Sequence, residues 1–238
     1  MRGMTPELTA LLIAAGYWVG IHVLVAGSPL RRVLAGKLGE PGFQGMFSLL
    51  TLAGLVALVW TYRGAAAVGV NFDLWIPTRA ALWAPWVVMP FAWLLLIGSV
   101  TTPNPTSVGM EKLLGRDDPA RGVLRVTRHP MLWSFVLWAC AHAIANSDVA
   151  TLVLCAAIAL PSLNGMRSID RKRARHDPAG WERYAAVTSV IPFVAIAGGR
   201  NRFVFAEIGV KGVLVALLVT AAVVAAHPYL YGASALPF

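Results

Sequence analysis

The sequence predicts an all-α fold, a polytopic transmembrane helical bundle of about six spans with a short interfacial or re-entrant segment. Three observations predict it. Of 238 residues, 58% are hydrophobic and 13% charged, whereas a soluble domain carries about 25% charged and 45–50% apolar residues. Apolar runs near the length that crosses a bilayer as a helix recur along the chain. The positive charges fall between those runs, and mostly between alternate ones.

The first run, Leu8–Val25, follows a charged start and so resembles a signal peptide. It is long, contains Trp18 and His22 and has no clear A-x-A cleavage site, which makes it a retained span. Gly16 and Gly20 stand four apart on it, a small-xxx-small face expected to admit a neighbouring helix closely. Further spans are expected at Met46–Tyr62, Ala81–Val100, Pro130–Asn146, Val149–Leu163 and Val210–Tyr229, the fifth borrowing flanking residues. Tyr184–Ile196 is apolar but short and interrupted by Pro192, so it reads as the interfacial or re-entrant piece. Trp60, Trp75, Trp83 and Trp86 cluster as an aromatic belt does at one boundary. Residues 1–200 form one membrane domain in this reading, and 201–238 an additional C-terminal helix.

The net charge is +9. The loops after the first span, before the fourth and between the fifth and sixth hold 17 of the 20 Lys and Arg, leaving Arg2, Arg63 and Arg79 for the other side. This asymmetry places the basic loops in the cytoplasm and both termini in the periplasm of a bacterial inner membrane. The expected partner of the charge is anionic lipid headgroups. Nucleic acid is not expected, because aromatic and basic residues do not interleave as single-strand binders require. Cys140 and Cys155 lie in apolar runs without C-x-x-C spacing and read as buried small hydrophobes rather than zinc ligands.

Ionisable groups inside spans are costly and point to function. Asp and Glu are nearly absent from the apolar runs, which argues against a proton-coupled carrier. His22, His142 and His227 remain. Two imidazoles from different helices are a recurring axial pair for haem, and each ring then needs a partner for its other nitrogen, with Ser134 and Asn146 as candidates. The alternative is a structural hydrogen bond at each histidine. Arg128-His129-Pro130 opens the fourth span, with proline suited to the first turn. It serves either as a basic anchor at headgroup level or, with Arg125, as an anion or cofactor site at a helix N-terminus. His129 and His142 are thirteen positions apart, roughly 20 Å along a straight helix, so one iron cannot take both. His22 is the natural partner for either. The stretch from Asp170 to Phe193 is a membrane-surface helix or a cap that turns Arg183 and Tyr184 inward over a pocket.

Three blocks carry a family resemblance: GIHVLVAGSPLRRVLAGKLGEPGFQGMFSLLTLAGLVALVW, RHPMLWSFVLWACAHAIANSDVATLVLC and RYAAVTSVIPF. The chain resembles the NnrU family of membrane proteins from about Gly16 to Phe193. Ser147 stands where the common pattern has glycine, and the tail from Asn201 goes beyond the resembling part. The resemblance implies a link to denitrification and nitrogen-oxide metabolism, and kinship with 15-cis-zeta-carotene isomerase, a membrane enzyme that uses haem b. It further implies that His22 and His142 are metal ligands, that His129 assists or substitutes, and that nitric oxide or a hydrophobic small molecule is the ligand.

A second resemblance, of the RHP helix start and the W-x-x-Y…PF segment, is to small membrane methyltransferases that use S-adenosylmethionine. There Arg128 would contact the cofactor, although only Glu182 stands near the place of the usual paired glutamates. A non-enzymatic membrane assembly factor with structural histidines is the third reading.

Overall fold

The computed structural model describes residues 5–67, 71–116 and 118–236; Arg2 lies outside them. Among the described residues the regular structure is helical, with one isolated bridge between Asp73 and Asp148. Five helices are long and apolar enough to cross a membrane: Pro6–Ala26, Leu30–Ala66, Arg79–Thr101, Val149–His176 and Phe205–Tyr231. Only 11–39% of each apolar stretch is buried. In water such exposed apolar surface would be a liability, and lipid is the solvent that suits it. The remaining expected span, Pro130–Ala145, is an apolar helix of 16 residues, about 24 Å long and so shorter than a typical hydrocarbon core.

The chain forms two compact units. One comprises the residues up to Pro85 with Trp138–Gly165, the other Trp86–Leu137 with Met166–Leu236.

In the first unit, helix α1 (Pro6–Gly20) starts with Thr5, whose hydroxyl accepts from the Leu8 N–H at 3.3 Å, and with proline at its first position. Both are favoured at a helix start. The helix continues into a π-helical segment, Ile21–Ala26. Helix α2 (Leu30–Ala67) breaks at Gly39, whose φ of 72° only glycine adopts freely. Leu11 and Ala15 of α1 pack with Leu58 and Ala65 of α2 and with Ala150 and Ala157 of α7 (Val149–His176). The tight approach of α1 to α2 is at Gly54: a Cβ there would lie 2.9 Å from Tyr17 Cε1 and 3.4 Å from Trp18 Cε3. A Cβ on Gly16 or Gly20 would meet nothing within 4 Å, so the expected small-residue face is corrected to the opposing helix. Ser147, in the position where glycine was expected, donates to Asp73 Oδ1 at 2.6 Å. Asp148 caps α7 by accepting from the Thr151 N–H at 2.8 Å and from Asn71 Nδ2 at 2.7 Å. Cys155 is buried as expected, but Cys140 is exposed. Its apolar surroundings in sequence carried no information about which way it faces.

After α3 (Arg79–Leu82) the second unit begins near the start of α4 (Ala84–Thr101). It continues through α5 (Val123–Val126) and the first turns of α6 (Pro130–Ala145) to the end of α7. Then come α8 (Pro178–Val187), α9 (Val194–Ala197) and α10 (Phe205–Tyr231). Leu95, Val123 and Val126 form one core with Phe91, Trp133 and Ile208. A Cβ on Gly98 would lie 2.8 Å from Val123 Cγ2, so that position must stay bare. Tyr184, Leu114 and Ala120 form a second core with Trp181. The region Tyr184–Ile196 holds the end of α8, non-helical backbone from Thr188 and a single short turn, and it does not span. Helix α10 breaks at Gly209 (φ 72°), so its apolar run begins at Val210, as the sequence indicates.

Candidate functional site

The first unit contains two copies of one local arrangement. His22, in the π-helical segment, places Nδ1 2.7 Å from the carbonyl oxygen of Trp18. In α6, His142 places Nδ1 2.8 Å from the carbonyl oxygen of Trp138. In each case the tryptophan sits four residues earlier and its ring packs on the imidazole, with centroids 4.4 Å apart for Trp18 and His22 and 4.5 Å for Trp138 and His142. Phe47 of α2 meets the His22 ring edge-on at 5.6 Å.

A carbonyl oxygen can only accept, so each Nδ1 carries the hydrogen. In a neutral imidazole the lone pair then sits on Nε2. Fixing the ring and its tautomer by donation from the other nitrogen is how proteins prepare a histidine for a metal. The partner is a backbone carbonyl rather than Ser134 or Asn146; Ser134 donates to Met131 O at 2.6 Å and Asn146 to His142 O at 2.8 Å. A π-helical segment is a frequent marker of function.

The donor chemistry fits haem. His22 and His142 are apolar-flanked imidazoles on separate helices, the donor type that axial ligation uses. Among the described residues no group of three or more His, Cys, Asp or Glu could hold a metal ion, which gives no support to a site built wholly from protein ligands. Beside His22, the buried Trp18 Nε1 has no hydrogen-bond partner among the described residues. Such an orphan asks for a polar group that the described residues do not supply.

The Arg128-His129-Pro130 turn lies in the second unit, and its side chains converge on one carboxylate. Arg128 donates to Asp170 Oδ2 through Nη2 at 2.8 Å and Nε at 3.1 Å. His129, almost wholly buried, places Nε2 2.7 Å from Asp170 Oδ1. The guanidinium of Arg128 lies 5.4 Å over the Trp181 ring, a favourable cation–π contact. Arg125 is engaged as well, by Glu207 at 2.8 Å, Asp118 at 2.8 Å and Asn201 at 2.9 Å. Tyr184 is fully buried and its hydroxyl has no partner among the described residues; burial pushes that hydroxyl above the ordinary tyrosine range. Arg183 is exposed, so of the two residues that the alternative cap reading turned inward only Tyr184 does so.

The pairing of Asp170 with His129, of Glu207 with Arg125, and of Trp18 and Trp138 with the two histidines was not anticipated. Asp170 stands 41 residues from His129, and no local pattern announces such a pair. The Trp-x-x-x-His spacing, by contrast, occurs in both helices and was available as a signal, since residues four apart share a helix face.

A family model described as NnrU protein matches residues 10–235. That range takes in most of the C-terminal helix that the sequence resemblance set apart. The chain is also similar to a 15-cis-zeta-carotene isomerase, chloroplastic, of Arabidopsis thaliana, at 29% identity over 116 residues. The matched stretch covers 48% of this chain and 32% of that protein. No solved structure matches. The family match extends over nearly the whole chain, and the protein belongs to the NnrU family.

Proposed function

We propose that this membrane protein binds haem b through His22 and His142, and that it serves either nitrogen-oxide metabolism linked to denitrification or isomerase-like redox chemistry on a hydrophobic molecule. The observation that carries this reading is the paired Trp–His turn: two histidines on separate helices, each with Nδ1 donating to the tryptophan carbonyl one turn back. The similarity to a carotene isomerase supports the second branch, over the part of that enzyme that is matched.

Haem, when bound, supplies a redox-active iron able to take nitric oxide or to polarise a polyene double bond. The chain's own contribution is to orient the imidazoles, keep them in the ligating tautomer and surround them with apolar and aromatic side chains that exclude water. Arg128 and His129 share Asp170 and brace the second unit in this reading; neither the methyltransferase nor an auxiliary ligand role draws support from that arrangement. The distribution of Lys and Arg supports a bacterial inner-membrane location with the basic loops cytoplasmic.

The test is haem content. Acid extraction of detergent-purified protein after haem-replete expression should give stoichiometric, non-covalent haem. A folded, monodisperse preparation without haem would reject the proposal.

A further inference from the structure

We propose that the second unit carries a binding site for the headgroup of an anionic phospholipid, in a cleft of about 380 Å³ lined by Arg125, Arg200, Asn201, Arg202 and Asp118. The inference is independent of haem.

The floor of the cleft is held by hydrogen bonds. Gly199 adopts φ 68°, and the N–H groups of Arg200 and Asn201 both donate to the Ala195 carbonyl, at 2.9 and 3.1 Å. Asn201 Nδ2 donates to Val187 O at 2.7 Å, and Arg200 Nη1 to Ala186 O at 2.8 Å and Thr188 O at 3.0 Å. The loop is thereby fastened to the carbonyl end of α8.

The charges in the cleft are unequal in their partners. Arg125 is matched by Glu207 and Asp118. Neither Arg200 nor Arg202 forms an ion pair among the described residues, although both line the same cleft. Arg202, with no carboxylate of its own, and Arg200, whose Nη1 is held by the Ala186 and Thr188 carbonyls, place positive charge on a pinned loop suited to a phosphate that accepts chiefly from the Arg202 fork.

Position identifies the phosphate as a lipid's. Arg202 lies three residues before Phe205, where a helix long and apolar enough to cross the membrane begins. That places the cleft at headgroup depth. Phe203 and Phe205 beside it are half exposed, apolar surface that acyl chains would cover and free phosphate would not.

The experiment is native mass spectrometry of the full-length protein released from detergent. The probes are dioleoylphosphatidylglycerol, dioleoylphosphatidylcholine and inorganic phosphate. Arg202→Gln is compared with wild type and with Arg175→Gln, an exposed arginine outside the cleft; unfolding midpoints without added lipid establish that each variant is folded. Wild type and Arg175→Gln should retain phosphatidylglycerol over phosphatidylcholine. Arg202→Gln should bind it about fivefold more weakly, the weight of one guanidinium near an anionic surface. Equal retention by Arg202→Gln, an equal loss in Arg175→Gln, no preference for the anionic lipid, or displacement of the lipid by inorganic phosphate would each overturn the proposal.

Discussion

His22 points Nδ1 at the carbonyl oxygen of Trp18, 2.7 Å away and one turn back along the same helix. The bond fixes both the orientation of the ring and the nitrogen that carries its hydrogen. His142 repeats the arrangement with Trp138. His227 also directs Nδ1 at a carbonyl, that of Ala233 at 2.7 Å, so what sets His22 and His142 apart is the tryptophan one turn back in each.

Asp170 is the keystone of the second unit. It accepts from Arg128 and is paired with His129, and all three side chains are mostly buried. Asp170→Asn removes the charge that Arg128 needs and should lower stability by about 3 kcal/mol, as breaking a buried pair does. Removing the far more exposed Glu40, the partner of Arg31, should cost within about 1 kcal/mol. Thermal unfolding in detergent measures both; equal losses would show that burial does not set the difference.

Gly98 should not tolerate a side chain. Its Cβ would collide with Val123, a buried β-branched residue with little freedom to move. Gly98→Ala is expected to destabilise by about 1–3 kcal/mol through overpacking. Gly16→Ala and Gly20→Ala, where the space is open, should be neutral or gain up to about 1 kcal/mol from helix propensity. Unfolding midpoints for the three variants decide which glycines matter.

Tyr184 provides a pH signature. Burial raises its hydroxyl above the ordinary value, so the folded state holds that proton more tightly than the unfolded chain. The corresponding stability is fully present below the unfolded value, about pH 10, and is lost as pH rises from there toward the folded value. Tyr184→Phe removes a hydroxyl that has no partner among the described residues. It should be neutral or stabilising by about 1 kcal/mol at neutral pH and should weaken the alkaline loss. Denaturation of both proteins across the alkaline range is the measurement, and a large loss at neutral pH in the variant would mean that the hydroxyl has an acceptor.

Glu207 ties the start of α10 to the rest of its unit. Its carboxylate accepts from Arg125 and from the N–H of Gly122, whose φ of 56° lets the backbone present that group. Glu207→Ala leaves Arg125 with Asp118 and Asn201 alone. Limited proteolysis should then cut near residues 199–205 faster than in wild type, with the apolar run from Val210 left intact.

The spans were legible in the sequence because a helix in lipid must be apolar along its length, and Leu8–Val25 and Val210–Tyr229 needed no tertiary information. The break at Pro192 was legible for the same reason, since backbone exposed in lipid must be regular. The candidate histidines were legible because polar groups are rare in such runs. Asp170 and Glu207 were not, because a long-range ion pair leaves no periodic trace. Nor was the opposing surface that makes Gly54 tight and Gly16 open. Which face a helix buries was also hidden where both faces are apolar, as at Cys140.

Haem ligation by His22 and His142 is tested by the absorption spectrum of the detergent-purified protein, oxidised and dithionite-reduced, recorded for wild type, His22→Ala and His142→Ala after haem-replete expression. Haem held by both histidines gives a Soret band with sharp reduced bands in wild type and loss or a large shift of them in both variants. A folded wild type without a Soret band, or spectra that neither substitution alters, would contradict it.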